Sequence, residues 1–174
     1  MCVRLAERAG FGTRAMSQIP NAPFFFGTHT SRIDSKGRVS FPASFRAALG
    51  DLKSQGVFIY RSPKHTAIDG VTVERLQQMS AALEKLSPMA EERDDFETAI
   101  FGTAQLLQFD SEGRCAIPRA LLDEVGIGSE LAFLGRSRSF QIWEPGALAA
   151  RKAKSAEAVK TGAVPFPTLS ADAA

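Results

Sequence analysis

Apolar and polar residues alternate in short bursts along most of this chain, and glycine, proline or aspartate bounds each burst. Ile33, then Val39 and Phe41 around Ser40, read as two short strands flanking Asp34-Ser35-Lys36-Gly37-Arg38. That alternation places the five-residue phrase at the tip of a hairpin. The Asp34 carboxylate suits backbone N–H groups two or three residues on, and Gly37 suits the positive φ that closes so short a loop. Arg38 leaves the turn facing Asp34, although an exposed pair of this kind adds only about 0–1 kcal/mol. Pro42 then opens a helix whose apolar stripe is Phe45 and Leu49, and Gly50 stops it in a left-handed conformation. Val57-Phe58-Ile59-Tyr60 is a further strand, with a weaker partner around Ala67 and Ile68.

The same unit is written a second time. Asp110-Ser111-Glu112-Gly113-Arg114 stands 76 positions after the first phrase, and Pro118 and Gly126 follow Pro42 and Gly50 by the same 76. Leu121, Leu122 and Val125 supply the second helical stripe. Leu131-Ala132-Phe133-Leu134 and Phe140-Gln141-Ile142-Trp143 supply the second pair of strands. Four short strands and one small helix bury too little surface to stand alone, so the two copies are expected to pack into one body.

Between the copies the period changes to that of helices. Val73, Leu76, Met79, Leu83 and Leu86 form one stripe. Ser87-Pro88 is read as the start of a second helix, with Glu91 and Glu92 near its positive end and Met89, Phe96 and Ile100 as its stripe. Pro145 opens a last helix to about Val159. The expected organisation is an extension over 1–23, a first repeat over 24–72, a helical hairpin over 73–101, a second repeat over 102–145, a helix over 146–160 and a disordered tail over 161–174. The hairpin either covers a face of the β structure or joins subunits. The first fifteen residues lack a signal-peptide core, and Met16 is the expected natural start.

Composition narrows the classes. Hydrophobic residues make up 44% and charged residues 23% of the 174, ordinary for a globular chain. Cys2 and Cys115 have neither disulfide-framework nor metal-ligand spacing, and His29 and His65 stand apart from each other and from ligand-type neighbours. No apolar run approaches the roughly 20 residues of a membrane span. No nucleophile elbow or phosphate loop is present, so neither an enzyme nor a cofactor or metal is expected. The net charge is only +2, but the basic side chains gather near the first turn, at Arg32, Lys36, Arg38 and Arg46.

Phe26-Gly27, the run Asp34 to Pro42 with Arg46, the run Asp110 to Pro118, and Phe140 to Trp143 resemble the MraZ family, bacterial transcription regulators of the division and cell-wall gene cluster. The resemblance covers about Phe25 to Val159. It implies a mainly β fold with helices, an AbrB-like double-split β-barrel made from two tandem repeats. It also implies a homo-oligomeric ring, typically an octamer, that binds repeated boxes of double-stranded DNA at its own promoter, in the cytoplasm and on the nucleoid. The family's Asp-x-x-x-Arg DNA-binding motif falls on Asp34 and Arg38 and on Asp110 and Arg114.

Two readings of the turn arginines follow from the residues themselves. They either brace their own turns by pairing with the aspartates, or they reach phosphates and guanine edges in the major groove. Arg38, Lys36 and Arg32 are the expected DNA contacts, with Asp34 and Gly37 holding the turn in shape. Glu112 stands where the first turn has Lys36, so the second turn is expected to contribute less and to be partly architectural. The alternative function is a ring-forming scaffold that binds protein partners and touches DNA nonspecifically. Trp143 is expected in the core or at an interface.

Overall fold

In the computed structural model, which describes residues 23–165, each repeat is a strand, the turn, a second strand, a short helix, two more strands and a closing helix. The first repeat comprises β1 (Thr28–Arg32), β2 (Arg38–Ser40), α1 (Ala43–Leu49), β3 (Val57–Arg61), β4 (Ile68–Thr72) and α2 (Val73–Leu83). After α3 (Glu91–Phe96) and a wide helical turn over Glu97–Phe101, the second repeat comprises β5 (Gln105–Leu107), β6 (Arg114–Ala116), α4 (Arg119–Glu124), β7 (Glu130–Gly135), β8 (Phe140–Trp143) and α5 (Pro145–Lys160). The expectations for the N-terminal extension, its start at Met16, and the tail beyond residue 165 lie outside the described residues.

The repeats interlock rather than sit side by side. A six-stranded antiparallel sheet runs β1-β7-β8-β4-β3-β5, and β2 and β6 form a separate two-stranded ribbon. Each repeat's first strand therefore pairs with the third strand of the other, β1 on β7 and β5 on β3. This corrects the hairpin expectation. The turn exists, but the strands on either side of it part into different sheets, linked near the turn by the bridge Ile33↔Val39 and by Ser31 Oγ donating to Ser40 O at 3.0 Å. The physical reason lies in the burial pattern. Val39 and Cys115 face inward from the three-residue strands of the ribbon, and each is covered only when the ribbon lies flat on the sheet. The mainly β fold with helices holds. The strands do not close into a barrel, because β1 and β5 remain edges of the sheet.

The core fills the space between sheet and ribbon. Phe133, Phe140, Ile142, Ile59 and Ile68 point into it from the sheet, and Val39, Cys115, Phe45, Leu49, Leu121 and Leu122 close it from the ribbon, α1 and α4. Edge-to-face aromatic contacts run through its centre, with Phe41 to Phe140 and Phe41 to Phe133 both at 5.3 Å between ring centroids. Alternate sheet residues face the other way. There Leu148 of α5 packs with Trp143, Ala132 and Ala67, while Leu76 and Met79 of α2 pack with Tyr60, Val71 and Ile100. Trp143 is thus a core residue. Its indole N–H donates to Gln141 Oε1 at 3.1 Å, and Gln141 Nε2 donates to Asp69 Oδ1 at 2.6 Å.

The helices start where their caps allow. Thr72 accepts from the N–H of Arg75 to begin α2, and Glu144 accepts from Gly146 and Ala147 to begin α5. These two helices are counterparts, so among the described residues α3 and its continuation, with a short 3-10 turn over Gly50–Gln55, are the helical elements without an equivalent in the second repeat. Ser87-Pro88 does not open a helix. Ser87 Oγ accepts from Met89 N–H in a tight turn, and α3 begins at Glu91. Met89 is 92% exposed and has no apolar surface to hold a further helical turn. Phe96 and Ile100 do pack against the sheet, as their spacing implies.

Candidate nucleic-acid interface

The two turns are near-copies in atomic detail. In the first, Asp34 N–H donates to Arg38 O at 2.8 Å and Gly37 N–H donates to Asp34 O at 2.9 Å. Asp34 Oδ1 accepts from the N–H groups of Lys36 and Arg38, at 2.9 and 2.8 Å. Its Oδ2 takes the Arg38 guanidinium through Nε at 3.0 Å and Nη2 at 2.9 Å. In the second, Asp110 Oδ1 accepts from Glu112 and Arg114 at 3.0 and 2.9 Å, and Oδ2 takes Arg114 Nε at 2.8 Å. Gly37 and Gly113 sit at φ 74° and 76°, the left-handed region that side chains rarely tolerate.

The electrostatics follow from those bonds. The backbone N–H of Arg38, chiefly, and its guanidinium hold the Asp34 carboxyl below the usual range, against a smaller opposing effect of desolvation. Asp110 is lowered likewise, first by the backbone N–H of Arg114. Arg114 is raised, first by its hydrogen bond to Asp110 and further by Glu112 and by Asp34 of the other turn.

The ribbon brings both turns to one surface. β2 and β6 pair with Arg38 opposite Ala116 and Ser40 opposite Arg114, so the two arginines lie on a diagonal of one face with two small residues between them. Val39 and Cys115 occupy the opposite, buried face. The turns touch through charge, with Arg38 Nη1 3.9 Å from Asp110 Oδ2. Asp34, Lys36, Gly37, Arg38, Asp110 and Arg114 are thus gathered at one place. Arg32 is not part of this ribbon. It ends β1, 88% exposed, with Nε 3.9 Å from Glu130. The cross-turn contact was hidden in the sequence, because nothing local announces that β2 pairs with β6.

The two arginines differ in what they have left to offer. Arg38 spends Nε and Nη2 on Asp34, leaving Nη1 only loosely engaged. Arg114 is held by Asp110 through Nε and by Glu112 through Nη1 at 2.6 Å. Glu112 therefore ties down the second arginine as well as removing a positive charge. Lys36 has no ion pair among the described residues and is exposed.

No group of three or more potential metal ligands occurs among the described residues, and none of their helices is long and apolar enough to cross a membrane.

Comparison with known proteins points one way. Residues 100–161 match the family model described as "MraZ protein, putative antitoxin-like". A protein of Pelagibacter ubique named "Transcriptional regulator MraZ" is 43% identical over 123 residues, 71% of this chain and 79% of the relative. Proteins with the same name from Beijerinckia indica and Rickettsia canadensis are 45% and 40% identical, over 74% and 81% of their own lengths.

Proposed function

The chain belongs to the MraZ family, and on that premise we propose that it is a transcriptional regulator that binds double-stranded DNA through the ribbon face. The family is one of transcriptional regulators and not of enzymes. One observation carries the DNA-binding reading. Two Asp–Arg turns lie side by side on the exposed face of a two-stranded ribbon, a shape the major groove admits. Each aspartate grips the inner edge of its arginine, which fixes the guanidinium without exhausting its five donors. Arg38 is the principal reader, able to take a guanine edge or a phosphate with Nη1 and the remaining Nη2 hydrogen. Lys36 adds a phosphate contact, Asp34 and Gly37 hold the turn, and Arg114 with Asp110 is mainly architectural. Arg32 lies further out and reaches backbone phosphates.

One such face makes few phosphate contacts and binds weakly by itself. Function therefore calls for several copies on repeated DNA boxes, a homo-oligomeric ring of about eight subunits gaining by avidity. Phe24 and Phe26 support subunit association, being 57% and 63% exposed beside the unpaired edge of β1. The protein represses its own division and cell-wall cluster by occluding the promoter, acting in the cytoplasm on the nucleoid.

A scaffold reading is favoured by one fact, that the turn charges largely satisfy each other. The two readings separate on DNA discrimination. The full chain should bind the region upstream of its own gene cluster at least about tenfold more tightly than a shuffled duplex at about 150 mM salt. Equal affinity for both duplexes would favour the scaffold.

A further inference from the structure

We propose that Arg46 is a further phosphate-binding residue of the DNA face, supplied by the helix of the first repeat to the turn of the second. The inference rests on the DNA-binding reading above. Arg46 lies on α1, yet its side chain crosses to the other repeat and lies over Gly113. A Cβ at Gly113 would run into Arg46 Nη1, Cζ and Cδ. Gly113 is required for its positive φ, and its missing side chain leaves the room in which the flexible Arg46 side chain lies. The strand leading into α1 is tied to the same place, since Phe41 N–H donates to Gly113 O at 3.1 Å.

The repeat breaks here. The residue 76 positions after Arg46 is Leu122, buried in the core at 2% exposure, and a Cβ at Gly37 would meet nothing within 4 Å. The first turn therefore has no such neighbour. Charge explains where the extra arginine sits. The first turn sets Arg38 and Lys36 against Asp34, one positive charge in excess. The second sets Arg114 against Asp110 and Glu112, one negative charge in excess, which would repel a phosphate. Arg46 cancels that excess.

Its bonding is that of a ligand-binding group rather than a brace. Arg46 Nε is buried with no hydrogen-bond partner. Among the described residues Arg46 forms no ion pair, and the carboxylates of the second turn, Asp110 and Glu112, pair with Arg114 instead. Burying part of a guanidinium without a partner is costly, and a purely structural role would have matched it to an acceptor. A stem already held against the second turn loses little freedom when a phosphate arrives.

The test uses the full chain and two variants, Arg46→Met, which keeps the apolar stem, and Arg46→Lys, which keeps the charge. Binding to the upstream duplex and to a shuffled duplex is followed by fluorescence anisotropy as salt is varied. Arg46→Met should weaken binding to both duplexes by about tenfold. Its log–log salt slope should be shallower by about 0.9 per subunit engaged. Melting temperature should be unchanged or higher, because no buried partner is lost, oligomer size should be unchanged, and Arg46→Lys should recover most of the affinity. Wild-type affinity and slope in Arg46→Met would overturn the proposal, as would a loss that comes with a lower melting temperature and is not mended by lysine. If Arg38→Ala weakens binding while Arg46→Met does not, this inference alone fails. If wild type binds neither duplex, the DNA-binding reading fails and takes Arg46 with it.

Discussion

Val39 and Cys115 face each other across the ribbon, and each is the other's counterpart, 76 positions apart. An approximate two-fold axis therefore passes between them. In the sheet beneath, Asp69 opposite Gln141 marks the same axis. Burial, with a smaller contribution from the Asp110 charge, pushes the Cys115 thiol up to about 12. In a Cys2→Ser background, Cys115 should resist alkylation at about pH 8 while the protein is folded and react once it unfolds. Cys115→Val should leave stability within about 1 kcal/mol, making the axis pair symmetric, whereas Cys115→Ser should cost about 1–3 kcal/mol by burying a hydroxyl. Denaturant melts decide both, and rapid native labelling would contradict the packing.

Asp34 and Asp110 tie the turns to pH. Both carboxyls titrate lower in the folded chain than unfolded, chiefly because backbone N–H groups of Arg38 and Arg114 bond the charged form. Between the two values the unfolded state binds more protons, so stability rises with pH through that window. The contribution is complete above about pH 4 to 5, the ordinary aspartate range, and is lost as pH falls through the folded values. Melting temperatures from about pH 2.5 to 7 should fall more steeply in acid for wild type than for Asp34→Asn/Asp110→Asn. Parallel profiles would show that these carboxylates do not support the fold.

Glu112 makes the two turns unequal. Arg114→Ala should weaken operator binding less than Arg38→Ala, because Arg114 is already held by two carboxylates. Glu112→Lys restores the charge of the first turn and should tighten binding several-fold at low salt. Titrations of the three variants on one duplex test the order, and a larger loss at Arg114 would reverse the assignment.

Gly70 and Phe140 meet at the centre of the sheet, where the ring covers the glycine so closely that a Cβ would overlap it. Gly70→Ala should cost about 1–3 kcal/mol by overpacking. Phe140→Ala should cost about 3–5 kcal/mol by leaving a cavity against Phe25, Phe41 and Phe45. Chemical denaturation measures both, and near-wild-type stability for Gly70→Ala would mean that the ring moves aside freely.

What could be read from the chain was what is local. The internal bonding of Asp34 with Arg38 needs only five residues, and the offset of 76 carries it to Asp110 and Arg114. Resemblance to MraZ then supplied the expectation of DNA binding. The crossed pairing of β1 with β7 and of β3 with β5 was not legible, because alternation gives a strand its faces but not its partner. For the same reason local alternation implies hairpin tips at the turns and gives no sign of the approach of Arg38 to Asp110. Spacing alone places Met89 in a helical stripe, but with no surface to cover it the side chain lies in solvent. The place of Arg46 had one faint signal, the break of the repeat where Leu122 stands in its stead.

The most direct test of the account is the binding of wild type and Arg38→Ala to the DNA upstream of the protein's own cluster, against a shuffled duplex at about 150 mM salt, with oligomer size measured alongside. Wild type should prefer the upstream DNA, and Arg38→Ala should lose that preference with its size in solution unchanged. Equal binding of both proteins to both duplexes would contradict it, leaving the paired turns as structural braces.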